Sequence, residues 1–213
     1  MSMRISEGSR AAALLIAGLA LAACEGLPGA GGPSRATVTV AGEPIVIAGP
    51  PGFCIDRETL NVSDFGAFAL MSDCALLASG TRAGADSRAA LTASISSGGL
   101  GGEGDDPVQS LADIAAFAQT GEGRALLGRS GSASGVRILA TQQSGEVLFV
   151  LVEDRGPQPI AGVDRRFWRA FLEVKDRMAV LSVLGFEDAG LDPQAGLDLL
   201  AAFVAALQRA NPA

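Results

Sequence analysis

Apolar and polar positions alternate over much of residues 36–184, and in two places a spacing of three and four replaces the alternation. Residues 36–40 alternate through Thr37, Val38, Thr39 and Val40, Ala41-Gly42-Glu43-Pro44 supplies a turn, and Ile45-Val46-Ile47 follows, which predicts a β-hairpin. Ala48-Gly49-Pro50-Pro51-Gly52 breaks the second strand and delivers Phe53-Cys54. Residues 56–64 are polar and are read as a short helix. The apolar run 65–71 suits a strand leading to Cys74, and residues 88–97 alternate through Ala90, Thr92, Ser94 and Ser96 as another strand. Residues 136–141 and 146–152 form a hairpin around Gln143-Ser144-Gly145. Its second strand, Val147-Leu148-Phe149-Val150-Leu151-Val152, is apolar without interruption, the pattern of a strand covered on both faces. In residues 167–174, Trp168, Ala170, Leu172 and Val174 share one face, with Arg169 and Glu173 on the other. A turn at Lys175-Asp176-Arg177 leads into the strand 178–184.

Helical spacing starts at two Asp-Pro pairs. Asp106 caps a helix with Pro107 at its first position and Gln109 completing a capping box; Leu111, Ile114, Ala115 and Ala118 line one face, and Gly121 and Gly123 stop it. Asp192-Pro193 repeats the cap, and Leu197, Leu200, Val204 and Leu207, with Phe203 beside them, form the face of a helix that runs to Ala210 and stops at Asn211-Pro212. That face is expected to pack on a sheet. The order is a hairpin, one or more strands, a helix, four strands as two hairpins and a terminal helix. It predicts an α+β fold, an antiparallel β-sheet covered by helices in a single domain.

Ahead of these elements, residues 1–10 are polar and carry Arg4 and Arg10, while residues 11–23 hold no charge. Thirteen apolar residues make a helix of about 20 Å, short of the ~30 Å hydrocarbon core, so they read as a signal peptide rather than a membrane span. Leu21-Ala22-Ala23-Cys24 at its end is similar to the lipobox of bacterial lipoproteins. The resemblance implies that cleavage precedes Cys24 and that the Cys24 thiol carries the lipid anchor. Residues 1–23 are then a leader, 24–35 a tether rich in Gly and Pro, and 36–213 the globular domain. The tether reaches about 18 Å for eleven flexible residues. Two or more acyl chains on Cys24 hold stably where one holds only marginally. In the lipoprotein sorting rule of enteric bacteria an Asp after the cysteine retains the protein at the inner membrane; Glu25 stands there and points to the outer membrane, facing the periplasm.

Without the leader the remaining cysteines are Cys54 and Cys74, and an even pair in an exported chain reads as a disulfide. Removing Arg4, Arg10 and Glu7 from the 16 basic and 23 acidic residues leaves 14 and 22, a net charge of −8. An acidic surface disfavours nucleic acid as a partner. Arg165, Arg166 and Arg169 come closest to a basic cluster. Histidine and tyrosine are absent, which excludes Ser-His-Asp triads, His-based acid–base chemistry and His-ligated metals.

Gly99, Gly101 and Gly104 satisfy G-x-G-x-x-G, yet Glu103, Asp105 and Asp106 stand where a pyrophosphate would lie. The acids also lack the alternating spacing of a calcium loop. Ser130-Gly131-Ser132-Ala133-Ser134-Gly135 is a linker, since Ala133 takes the place of the nucleophile in G-x-S-x-G. Trp168 is expected as a core or edge aromatic. No catalytic, metal or cofactor-binding residue is assigned.

The Trp-bearing hairpin followed by an amphipathic helix, roughly residues 107–210, resembles PsbP-like domains in element order and carries no functional residues across. The expectation is a non-enzymatic envelope lipoprotein acting as an accessory or interaction module, bound to the membrane through Cys24 and to envelope proteins. A small-ligand-binding lipoprotein is the alternative, with a carboxylate-based hydrolase behind it.

Overall fold

A computed structural model describes residues 31–80, 88–101, 104–157 and 161–212. The alternating segments form strands. The first hairpin is β1 (Arg35–Val40) and β2 (Glu43–Ala48). Then come β3 (Phe53–Ile55), β4 (Asn61–Ser63), β5 (Gly66–Asp73), the short helix α1 (Cys74–Ser79) and β6 (Ala89–Ser96). Helices α2 (Pro107–Ala118) and α3 (Gly121–Leu127) precede a four-strand meander, β7 (Val136–Ser144), β8 (Val147–Asp154), β9 (Val163–Val174) and β10 (Arg177–Phe186). Helix α4 (Pro193–Ala210) closes the fold.

Among the described residues, β1 and β2 pair only with each other. The other eight strands make one antiparallel sheet in the order β3-β5-β6-β10-β9-β8-β7, with β4 also on β5. The sheet joins two halves at β6 and β10, where Leu181 lies opposite Ala93. Because side chains alternate faces along a strand, this sheet has two cores. On one face α4 and the β1–β2 hairpin cover Met71, Leu91, Ala93, Trp168, Leu172 and Leu181. On the other, α2 and α3 cover Leu148, Val150, Val152, Phe167 and Phe171. The fold is α+β, an antiparallel sheet covered by helices in one domain.

β8 contributes Val147, Phe149 and Leu151 to the first core and Leu148, Val150 and Val152 to the second, so its unbroken apolar run is a strand with no solvent face. α4 buries Leu200, Phe203, Val204 and Leu207. At about 1.5–3 kcal/mol for each large apolar side chain, this face is a main source of stability. Both ends of α4 are tied. Trp168 Nε1 donates to the Pro193 carbonyl at 2.8 Å, and Asn211 Nδ2 and Oδ1 bond the carbonyl and amide of Val46 at 2.8 Å each.

Three local readings change. Residues 56–64 form no helix: Asp56 Oδ1 accepts from the Glu58 amide at 2.9 Å and its carbonyl from Thr59, a side-chain-stabilised turn that hands the chain to β4. Gly121 opens α3 instead of only ending α2, because Thr120 caps the new helix by accepting from the Gly123 amide at 3.0 Å. Gly123 is needed there, since a Cβ would run into the Phe117 carbonyl. Gln109 donates to Asp113 at 3.0 Å, one helical turn ahead, so Asp106 caps α2 through the Val108 amide without the boxed partner.

The β1–β2 turn holds Ala41 at φ 48° and Gly42 at φ 82°. This is the two-residue hairpin turn in which both central residues are left-handed, and asparagine suits its first position far better than alanine. Ala41→Asn is therefore expected to raise stability by about 0.5–1 kcal/mol, read as a midpoint increase of about 1–4 °C on thermal unfolding. An unchanged midpoint would mean that the turn relaxes at no cost.

Candidate functional site

Gly31, ahead of the first strand, is the first of the described residues, and contacts with the domain are already in place there. Ile55 N donates to the Pro33 carbonyl at 2.7 Å, Gly49 N to that of Ser34 at 3.0 Å, and Gly31 lies against the Cys74 carbonyl so closely that no Cβ fits. Cys24, the expected lipid attachment point, lies outside the described residues. Cys54 and Cys74 form the expected disulfide, with an S–S length of 2.03 Å and Cα atoms 4.9 Å apart. It links β3 to the first residue of α1, next to the segment through which the chain joins the domain. Sequence reading missed α1. Its six residues bury nothing, and it is held by Asp73, whose side chain accepts from Ala75 N and Leu76 N.

At the opposite end of β5 the chain turns through Asp64 and Phe65. Phe65 is 87% exposed, and Val62 at 47% and Phe68 at 39% flank it on β4 and β5. Eight residues of strand place this apolar tip about 25 Å from the Cys74 end. A phenylalanine that gains nothing from burial in its own fold marks a surface for something else. Other large apolar residues that reach solvent, Val108 and Phe117 on α2, Leu126 on α3 and Leu139 on β7, lie toward the β7–β9 side of the sheet.

The glycine-rich loop forms one wall of a cleft of about 400 Å³ lined by Gly99, Leu100, Asp105, Ser110, Glu173 and Asp176. Glu173 Oε2 accepts from the Leu100 amide at 2.8 Å, so one carboxylate holds the loop in place. Three acids facing one cleft repel a pyrophosphate, in line with the composition of the loop. Among the described residues no three Cys, Asp or Glu side chains gather in metal-binding reach. No helix there is long and apolar enough to cross a membrane.

Of the three arginines in β9, Arg165 and Arg166 are exposed while Arg169 turns inward onto the face beneath α2 and α3. Its Cζ lies 5.2 Å from the centre of the Phe167 ring, and Arg129, from the loop after α3, stands 4.8 Å from the same ring. Asp154, wholly buried, accepts from Arg129 N and Gly156 N at 2.8 Å and lies 3.8 Å from Arg129 Nε. Arg129 Nη2 also donates to the Asp164 carbonyl at 3.1 Å. Burial pushes the Arg129 guanidinium below its usual range, opposed by the carboxylates of Asp154 and Asp164. Burial pushes Arg169 down to about 10, repulsion from Arg129 adds to the fall, and the Asp154 carboxylate opposes it. Sequence reading placed Arg169 in a basic group and, with Glu173, on the face opposite Trp168. Arg129 and Asp154 gave no signal, because their meeting with β9 depends on the β8–β9 pairing.

Comparison with protein-family models, with curated proteins and with solved structures finds no match, so the function is argued from the chain's own residues.

Proposed function

We propose that this chain is a lipid-anchored protein of the bacterial envelope, held through Cys24 and facing the periplasm, with the outer membrane favoured by Glu25. Its role is that of a non-enzymatic accessory module that docks on another envelope protein. The exposed Phe65 at the β4–β5 tip, with Val62 and Phe68 beside it, is the observation that carries this reading. The tip lies about 25 Å from the end of β5 where the tethered chain joins. An apolar patch at that distance suits a protein surface better than the bilayer that holds the anchor. The acidic surface, with a net charge of −7 for the whole chain, also disfavours anionic lipid.

The test is a photo-crosslinker placed at position 64, beside Phe65, in the lipidated protein, in its native envelope, with Phe65→Ser and Cys24→Ala as controls. One stoichiometric partner is expected. It should be lost with Phe65→Ser at an unchanged unfolding midpoint and reduced with Cys24→Ala. Mass spectrometry of the mature N-terminus should find a diacylglyceryl group on Cys24. A partner that survives Phe65→Ser would move the docking surface elsewhere, and an unmodified Cys24 would remove the anchor.

A further inference from the structure

β7 is the outer strand of the large sheet, at the end away from β3 and β4. Arg137 and all of residues 139–144 are exposed, so no described segment lies along this edge. A strand edge with open N–H and C=O groups is a template for another strand, and folds that avoid such pairing blunt it with Lys, Pro or a bulge. β7 has neither Lys nor Pro, and Arg137 is its one charged residue. It does have a bulge, between Ile138 and Ala140.

The ladder with β8 tells which backbone groups face outward. In an antiparallel pair, residues that bond the neighbour alternate with residues that turn their N–H and C=O away. β7 and β8 join through the two-residue turn Gly145-Glu146, with Gly145 at φ 57°, and the closing residues of such a turn, Ser144 and Val147, bond each other. Counting back from Ser144, Gln142 and Ala140 bond β8, while Gln143 and Thr141 face out. At the other end the Arg155 amide donates to the Gly135 carbonyl at 3.0 Å. Counting forward from Gly135, Arg137 bonds β8, while Val136 and Ile138 face out. Val136 spends its N–H on the Ala133 carbonyl at 3.1 Å and offers its own carbonyl alone. The bulge absorbs the mismatch between the two counts, so the outward residues are Val136, Ile138, Thr141 and Gln143.

This spacing, with its wider gap in the middle, reads the same from either end. A regular strand offers outward residues at every second position and loses register at the gap. A second β7 laid antiparallel presents the same gap at the same place: Val136 meets Gln143 of the second copy, and Ile138 meets Thr141. The faces agree as well. Val136 and Ile138 belong to the core under α2 and α3, and Thr141 and Gln143 pair with Val150 and Leu148 of that core. Gln142, across from Phe149, lies on the other face, as does Arg137, and these two meet in the same register. No like charges stand opposite one another.

We propose that β7 pairs with β7 of a second copy of this chain about a two-fold axis perpendicular to the sheet, Ile138 opposite Thr141, so that one sheet runs through both copies. A contact of this kind closes at two copies. It leaves both α2 helices on the same face of the joined sheet. Val108, 46% exposed and tied to β7 by the bond from Gln143 Nε2 to its carbonyl at 3.2 Å, borders the junction. An edge about 30 Å long makes a small interface, so one copy and two are expected to exchange in solution. The Phe65 tip lies on β4 and β5, and the proposal does not depend on its docking role.

The chain from residue 24 onward, carrying Cys24→Ala and containing every described element, is followed by sedimentation velocity up to about 1 mM. A concentration-dependent dimer is expected. Thr141→Pro removes an outward N–H and leaves the bonds to β8 in place; it should weaken the dimer by about tenfold or more, at an unchanged unfolding midpoint of the dilute chain. Two variants at an exposed position keep the test independent of any effect of proline on the bulge. Gln142→Lys sets like charge opposite Arg137 and should weaken the dimer, and Gln142→Glu should tighten it, each by about threefold or more. Arg137→Cys combined with Gln142→Cys should give a covalent dimer on treatment with oxidised glutathione. Opposite residues that do not bond each other bring their Cα atoms to about 4.5 Å, within disulfide reach, and either cysteine alone should give none. A chain that stays monomeric at about 1 mM would overturn the proposal. So would a dimer of equal strength in Thr141→Pro and both Gln142 variants, which would use another surface. Covalent dimers from Gln142→Cys alone, as abundant as from the pair, would put residue 142 on the axis and overturn the register. In the native envelope, cross-linking of the paired variant to a different protein and to no second copy would overturn the choice of occupant.

Discussion

Phe203→Ala is expected to cost about 3–5 kcal/mol, the largest effect of any single substitution considered for this chain. Phe203 is fully buried on α4 and stands in the core where that helix meets β9, β10 and β2. Neighbours in that core include Ala93, Ala170 and Ala179, all at 0% exposure. Short side chains of this kind cannot swing into the vacated volume, so the cavity stays open and the upper part of the range applies. With about 2–4 °C lost per kcal/mol in a domain of this size, the midpoint should fall by about 6–20 °C. The single tryptophan reports directly on this region, since Trp168 is buried and its indole N–H is held by Pro193 at the start of α4. Tryptophan fluorescence and far-UV circular dichroism should show one shared transition. A loss below about 1 kcal/mol would mean that α4 is not a principal support of the sheet.

Removing the disulfide is the second large effect. The paired change Cys54→Ala and Cys74→Ala opens a loop with a sequence separation of 20 and is expected to cost about 3 kcal/mol, with reduction of the parent chain giving a similar loss. The loss should also be local. Gly31 rests on the Cys74 carbonyl, Cys74 N donates to Gly52, and Ile55 N donates to Pro33, so the start of the fold is fastened at this bridge. Hydrogen exchange at the Ile55 and Gly49 amides should quicken well before exchange in β8 and β9. Uniform quickening throughout the sheet would show instead that the bridge acts on the whole domain.

Legibility in the sequence followed the range of the interaction. The caps of α2 and α4 were readable because Asp106-Pro107 and Asp192-Pro193 act within a single turn. Uninterrupted apolar residues in β8 announced coverage on both faces, and the alternation in β9 put Trp168, Ala170, Leu172 and Val174 together in one core. Elements that depend on a distant contact were not readable. Gly121 and Gly123 have the composition of a stop, and only the approach of the Phe117 carbonyl explains why a helix needs Gly123. The turn at Asp56 replaces a helix through side-chain bonds that compete with the backbone, and β4 forms only because β5 is there to receive it. The candidate sites show the same division. Cys54 and Cys74 could be paired by counting. The meeting of Arg129, Asp154, Phe167 and Arg169 required the register of β8, β9 and the loop after α3.

The amide of Asn211 that bridges to Val46 sets the order in which the domain can be finished. Chain synthesis delivers the N-terminal residues first. The first strand pair nevertheless takes its last backbone partner from a residue 165 positions further along. Until α4 arrives, the apolar side of that pair, with Val38, Val40, Ile45 and Ile47, lacks one of the surfaces that buries it. Contacts of such long separation form slowly. The earliest-made part of the chain therefore spends the longest time open to mispairing, and a break in the last turn of α4 would be felt first at the other end of the sequence.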